Sequence, residues 1–501
     1  MRCFLTILTL LAAGILVLVV GLGACALRVA TSSPRLLNEN LSFNNEVTIP
    51  PLLEPVEQNG QKVYNLTAQK GQVEILPGLE TSTWGVNGPF LAPTIRASQG
   101  DHVAINVTNE LDETTTIHWH GMYLPAAMDG GPHQEIDPGE TWEPYWSIRQ
   151  EAATLWYHPH QMGKTAEHVY NGIAGLFIID DANSQQMDLP QAYGVDDTPL
   201  IIQDKTFSNS GSLRYRPDGD NGMLGDKILI NGTYNPHADV PARNVRLRLL
   251  NGSNARRYNI GFSDNREFHQ IASDGGFLEA PVPLKRLLLS PGERSEIVVD
   301  LTDGNNVVLM SYALGDEDGL IENLGEAIMG MSKDEDTIFN LIELRPQPTD
   351  ETPTPLPERL NTIARWEESQ ASHTRQFSFN NGSRINGLKM DMARIDEIVE
   401  VGDIEIWELS SPSFRSHPIH IHGVQFLVLD LNGEPPPPNE QGWKDTITVN
   451  QDETVRVIMQ FKDYSDSELP YMFHCHILEH EDRGMMGQFV VLDEGGRAKS
   501  H

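Results

Sequence analysis

Gly100-Asp101 stands ahead of His118-Trp119-His120-Gly121, and the same wording returns at Gly402-Asp403 ahead of His420-Ile421-His422-Gly423, every landmark displaced by one constant interval. Tyr157-His158-Pro159-His160 is then answered by Phe473-His474-Cys475-His476, and Gly175-Leu176-Phe177 by Gly487-Gln488-Phe489, at slightly longer intervals. A repeat whose spacing changes only between its landmarks means duplicated units that share strands and differ in loops. Around it, short runs such as Val103–Val107, Leu200–Gln203, Val245–Leu250, Ile297–Val299 and Gln425–Leu429 are separated by polar turns, in a chain with 42 Gly and 32 Pro. That is an all-β pattern. Asn244–Ile260 carries the strand pattern a third time, with Arg257-Tyr258-Asn259 where histidines would fall. Three related β-sandwiches, the middle one without a histidine cluster, is the simplest reading.

The length of 501 residues agrees with several cores rather than one. The sandwiches are expected at residues 45–185, 195–345 and 361–495, with the proline-rich stretch 346–360 as a linker. There are 70 Asp+Glu against 36 Lys+Arg, a net charge of −34. This excess argues against nucleic acid, which needs basic patches. Three cysteines cannot build a disulfide framework.

Phe4 to Leu27 carries no charge and follows Arg2, which reads as an export signal. Leu22-Gly23-Ala24-Cys25 resembles a bacterial lipobox, so residues 1–24 are expected to be a signal peptide and Cys25 an acylated first residue. Alanine after that cysteine favours the outer membrane by the same resemblance. An uncleaved anchor over residues 4–27, or plain cleavage and secretion, are the alternatives. Each places the folded part outside the cytoplasm, on the periplasmic side in a bacterium, with membrane contact through the amino terminus only. No twin-arginine pair precedes the apolar stretch, so any metal is expected to be loaded after export.

Most of the 17 histidines fall into His118-Trp-His120, His158-Pro-His160, His417-Pro-Ile-His420-Ile-His422 and His474-Cys-His476 with His480 nearby. On a strand, side chains alternate faces, so each His-x-His aims two imidazoles the same way. Pairs from two domains can converge on metals between them. Imidazole alone does not choose among copper, iron, zinc and nickel. Cys475, His480 and Met485 run Cys-x4-His-x4-Met, and His417 can supply a second imidazole. Two His, a thiolate and a weak axial Met make a blue-copper electron-transfer site. Cys475 points away from His474 and His476, so one strand would join two metal centres covalently. His102, His133, His168, His237, His269, His373 and His501 are expected to be structural or exposed, and Met329-Gly-Met331 to be ordinary core or loop methionines.

At these motifs, over about 450 residues, the chain resembles the multicopper oxidases, the family of laccases, bilirubin oxidases and bacterial copper-efflux oxidases. The resemblance implies three cupredoxin-like, Greek-key sandwiches and four copper ions, with a trinuclear cluster between domains 1 and 3. It implies type 1 ligands His417, Cys475, His480 and axial Met485, and type 2 ligands His118 and His420. The type 3 pair would take His120, His158, His160, His422, His474 and His476. Pro159 stands where a type 1 cysteine would be needed in the first domain. Asp129, in Met-Asp-Gly-Gly, and Glu481, after His480, match the family's proton-delivery positions; reducing O2 to water consumes four protons and four electrons.

Gly442-Trp-Lys-Asp445 and His474-Cys-His-Ile-Leu-Glu-His-Glu-Asp-Arg-Gly-Met-Met486 are nearest to the copper-efflux branch. That branch's Met/His-rich insertion is missing, and Ser413 and Arg415 stand where it carries an Asp and a Met for a labile cuprous ion. Soft thioethers select Cu(I), so the expected activity is a laccase-type oxidation of phenols or aromatic amines with O2 as acceptor, at a shallow, exposed site near His480. A periplasmic oxidase of Cu(I), Fe(II) or Mn(II), serving copper tolerance, is the alternative, with Asp316-Glu-Asp318 and Asp334-Glu-Asp336 as acidic stretches that more simply read as solvated loops. A non-catalytic cupredoxin scaffold is the alternative of another class. Copper nitrite reductase is disfavoured by the full set of eight cluster histidines. A monomer is expected.

Overall fold

In His102–Asn109, Val103, Ile105 and Val107 are buried while the residues between them are not. Period-two burial of this kind puts one face of a sheet on a core. The computed structural model describes residues 35–38, 41–314, 337–350, 354–380, 382–493 and 495–496. The amino-terminal signal, Asp316–Asp318, Met329–Met331, Asp334–Asp336 and His501 lie outside them. The described strands form three two-layered sandwiches, of six and five strands, seven and seven, and five and five. Each has its own core: Val103, Trp119, Tyr157 and Phe177 in the first, Leu247, Ile297 and Phe339 in the middle one, Trp407, Phe473 and Phe489 in the third. Many neighbouring strands are not consecutive in sequence, as Greek-key connections require. No helix among the described residues is long and apolar enough to cross a membrane.

The elements that carry the histidines are β1 (His118–His120), β2 (Ala153–His158), helix α1 (Thr165–Asn171), β3 (His417–Ile421), β4 (Asp466–Cys475), helix α2 (Leu478–Asp482) and β5 (Met486–Leu492). β1 pairs antiparallel with β2, placing His118 opposite His158. β3 pairs antiparallel with β4, placing His420 opposite His474. The sequence repeat is therefore kept in the hydrogen-bond register. Gly175 lies opposite Tyr157 and Gly487 opposite Phe473. A Cβ at either glycine would run into that aromatic ring, so both halves use glycine to let a ring lie across the neighbouring strand. α1 meets α2 through Ala166, Val169 and Leu478, joining the first sandwich to the third.

Two expected boundaries are corrected. The first sandwich does not begin at 45: Arg35–Leu36 and Asn45–Glu46 pair, both parallel, with the middle sandwich's Thr337–Ile338 and Pro236–His237. Val47 sits in the middle core. Added this way, Asn45–Glu46 covers part of a sheet edge that would otherwise expose unpaired peptide groups. The stretch 346–360 is not a free spacer either. Strand Thr337–Gln347 runs into it, and Leu360 is buried beside Ile271 and Val298 with its N–H donating to the Glu279 carbonyl at 2.9 Å. Its described residues strap the middle sandwich before the third begins. One strand also starts a residue later than read, at Phe426 rather than Gln425.

Candidate metal centre

The cluster histidines are buried at the junction of the first and third sandwiches, and their ring nitrogens converge. His160, His422 and His474 form one group: the Nε2 atoms of His160 and His422 each lie 3.1 Å from Nε2 of His474. His120, His158 and His476 form a second, with His120 Nδ1 3.4 Å from His158 Nε2. His118 and His420, beside His422, form a third. Burial holds His120, His158, His160, His422, His474 and His476 well below the usual imidazole range, helped by their neighbours' charge when protonated. Neutral rings with facing nitrogens present lone pairs to one another, which only a shared cation or proton relieves.

The far side of each ring decides which nitrogen faces inward. His118 Nδ1 donates to the Asp129 carbonyl at 2.9 Å and His420 Nδ1 to the Asp445 carbonyl at 2.8 Å. Both Nε2 atoms are left buried without a hydrogen-bond partner. His158 and His474 likewise donate Nδ1–H to the carbonyl of the next residue, Pro159 and Cys475. His120 is turned over: its Nε2 meets Asp445 Oδ1 at 3.0 Å, so Nδ1 points inward. His422 Nδ1 meets Asp129 Oδ2 at 2.8 Å. Hydrogen bonds behind the ring fix the tautomer and orient the lone pair, as metal-binding histidines require.

The second site lies inside the third sandwich. Cys475 Sγ is 3.4 Å from His417 Nδ1 and 3.6 Å from His480 Nδ1, all fully buried. The loop closes on itself, Cys475 N–H donating to Met485 O and Met485 N–H to His480 O. This places buried Met485 in the same core as Cys475. Burial pushes the thiol far above its usual range and His480 down to about 3. A thiol so disfavoured as thiolate, beside two neutral imidazoles, fits a soft cation that replaces the proton. Across the strand, His474 and His476 belong to the other groups. The donor sets and orphaned Nε2 atoms thus fit copper at both places.

The expectation of an exposed edge at His480 is corrected. His480 is fully buried, and its Nε2 donates to the Asp220 carbonyl of the middle sandwich at 2.9 Å. His417 Nε2 meets Ser413 Oγ at 2.7 Å. The sequence offered no sign of the His480 cap, because a backbone carbonyl carries no side-chain signature.

Of the two carboxylates singled out, Asp129 is placed behind His422, and Glu481 lies within 3.2 Å of Nδ1 of both His160 and His474. Burial, then the charge of Asp482, lifts Glu481 well above the ordinary carboxyl range. Asp445 received no role in the sequence reading. It touches His120, takes the His420 N–H on its carbonyl, and forms a fully buried pair with Arg294 of the middle sandwich at 2.8 and 2.5 Å. Arg294 holds its carboxyl well below the usual range against the cost of burial. Asp445 lies at the same interval from Asp129 as His474 from His158, a signal that was present.

Multicopper oxidase family models match residues 67–184 and 354–495. A multicopper oxidase of Staphylococcus aureus is 39% identical over 452 residues, covering 89% of this chain and 92% of the relative. The chain belongs to the multicopper oxidase family. The laccase-like multicopper oxidase CueO from the lignin-degrading bacterium Ochrobactrum sp. superposes with a TM-score of 0.80 at 38% identity, over 89% of this chain and 100% of that one. Its oxidase activity towards lignin model compounds and lignosulfonate is its own. The cell division protein FtsP of Dickeya dadantii is 38% identical over 459 residues, 90% of this multicopper oxidase and 93% of the relative. The fold is accordingly that of three cupredoxin-like sandwiches, and the family implies copper.

Proposed function

We propose that this multicopper oxidase withdraws electrons one at a time from small phenolic or aromatic donors, or from reduced metal ions, and passes them to O2. The reading rests on one observation: a thiol-bearing site and the histidine groups share the single segment His474-Cys475-His476. Four bound coppers would supply the chemistry, one accepting electrons beside Cys475 and three reducing O2 to water. His417, Cys475, His480 and Met485 would hold the first. His118 and His420 would hold the type 2 ion, and His120, His158, His160, His422, His474 and His476 the type 3 pair.

The chain's own residues do the rest. Asp129 and Asp445 orient four imidazoles from behind, and Arg294 keeps Asp445 ionised. Burial excludes water, which strengthens every electrostatic contact inside. Glu481, its carboxyl held well above the ordinary range by burial, serves as the acid closest to His160 and His474. Its neighbour Asp482, raised to about 7 by burial, accepts the Thr165 and Ala166 N–H groups of α1.

Copper loading followed by metal analysis, visible absorption and oxygen uptake tests this reading: four coppers, a blue band and four electrons per O2 are expected. A second reading, a scaffold acting without catalysis, is favoured by the likeness to FtsP. Uptake of no copper and no blue colour would select it. The export-signal reading places the folded part outside the cytoplasm; fractionation and lipid labelling of Cys25 would test that.

A further inference from the structure

The outward nitrogen of His480 does not face solvent because a segment of the middle sandwich is clamped over it. The turn Gly219–Asn221 supplies the Asp220 carbonyl, and the helix that carries His480 grips that segment on both sides. Three residues beyond His480, Arg483 Nη1 donates to the Gly219 carbonyl at 2.8 Å, and Nη2 lies 3.2 Å from Asp220 Oδ1. One residue before it, buried Glu479 accepts the Met223 N–H at 3.1 Å, Asn254 Nδ2 at 2.9 Å and the Tyr215 hydroxyl at 3.1 Å. A Cβ on Gly222 would collide with Glu479 and Ala255, so the segment lies flat on the helix. From the third sandwich, a Cβ on Gly382 would meet Arg483 Nη2 at 2.9 Å, His480 Nε2 at 3.0 Å and Asp220 Oδ1 at 3.2 Å. The outward side of the ring is thus shared by the Asp220 peptide, Gly382 and Arg483.

We propose that Tyr215–Met223 is the specificity-determining element of the electron-entry face. Donors dock on the Asp220 peptide and the Asp220–Arg483 ion pair rather than on the His480 ring, so small one-electron reductants are served and bulky methoxyphenols are kept one peptide away. The proposal rests on the reading of His417, Cys475 and His480 as the electron-accepting site. Asp220 and Arg483, with side chains 60% and 36% exposed, form the outer surface of that contact. Half-buried Tyr215, hydrogen-bonded to buried Glu479, anchors its base.

Two readouts test it in the full-length protein, with Arg483→Ala and Tyr215→Phe as lid-loosening variants. In the copper-free protein, carbethoxylation of His480 by diethyl pyrocarbonate, followed by mass spectrometry, should be suppressed in the parent and rise about tenfold in Arg483→Ala, the change one charge-assisted hydrogen bond makes to an opening equilibrium. In the copper-loaded protein, stopped-flow bleaching of the blue band by 2,6-dimethoxyphenol should accelerate by a similar factor. The control donor is read in Tyr215→Phe, which leaves the Asp220–Arg483 pair in place: there, bleaching by hexaammineruthenium(II) should change less than about twofold, because loosening the segment does not help a donor that already reaches the peptide. Tyr215→Phe should show the carbethoxylation and dimethoxyphenol increases more weakly and covers the case in which Arg483→Ala fails to fold. His480 equally reactive in parent and variants overturns the proposal. So does an unchanged ratio of the two bleaching rates. A parent with no blue band would instead overturn the electron-site reading, and the carbethoxylation result would still stand.

Discussion

Asp129 and Asp445 stand in mirrored relation to opposite histidine pairs. The Asp129 carbonyl takes the N–H of His118 and its carboxylate meets His422; the Asp445 carbonyl takes the N–H of His420 and its carboxylate meets His120. Each aspartate thus uses its backbone on its own domain and its side chain on the other. The symmetry breaks in electrostatics: Asp445 is locked to Arg294, whereas Asp129 Oδ1 has no hydrogen-bond partner. One aspartate is a fixed brace, and the other keeps a buried oxygen without a hydrogen bond.

Replacing the brace should therefore cost both metal and stability. Asp445→Asn leaves Arg294 with Asp274, 3.7 Å away, as its nearest carboxylate, and the loss should approach the lower end of the roughly 3–5 kcal/mol that removing one partner of a buried pair costs. Copper affinity of the histidine groups should fall about 10–100-fold, as when a partner behind a ligand is lost. Adding Arg294→Met should recover most of the stability but not the affinity. Denaturant unfolding and copper titration read the two effects separately.

Cys475→Ser should abolish the blue absorption and phenol-driven oxygen uptake while the circular dichroism spectrum stays that of the parent. The thiol is free, so no cross-link is lost, and serine nearly preserves the volume of a buried side chain. Oxygen uptake that persists with a phenol would remove Cys475 from the electron path.

Glu481→Gln should slow the reoxidation of the reduced enzyme by O2 by about 100-fold, the usual scale of a lost general acid. Reduction under anaerobic conditions should be nearly unchanged, since Glu481 faces His160 and His474 rather than His417. Equal slowing of both half-reactions in stopped flow would count against a proton-donor role.

Away from the metal sites, Lys205 is fully buried over the Tyr170 ring, and burial lowers its pKa from 10.5 to about 7. Between those values the unfolded chain binds a proton that the folded chain does not. Stability should consequently rise with pH from about 7 to 10.5 and fall as pH drops through that window, by on the order of 5 kcal/mol in all. Lys205→Met should flatten this slope and stabilise the protein below pH 7. Urea unfolding at a series of pH values compares the two.

The sandwiches were legible because the repeat and the alternation of strands such as His102–Asn109 are local patterns. The histidine clusters followed from the same repeat, whereas their division among ions came only from the family resemblance. What escaped depends on chain segments far apart in sequence. Arg35–Leu36 pairs with Thr337–Ile338, and nothing in a two-residue strand announces a partner that distant. The cap on His480 comes from a peptide of another domain. Asp445 could have been found by carrying the longer repeat interval back from His474 to Asp129, whereas Arg294, in a strand of the domain without histidine clusters, gave no such mark.

The first described strand is anchored in the middle sandwich, which carries none of the clustered histidines. Leu37 N–H donates to the Ile338 carbonyl at 3.1 Å and Asn38 exchanges hydrogen bonds with Asn340. A mechanical pull along the chain ahead of Arg35 would be met there, in shear across the strand pair with Thr337–Ile338, before any strain reached the junction of the outer sandwiches. The middle sandwich is in this sense the part of the fold that bears such a load first.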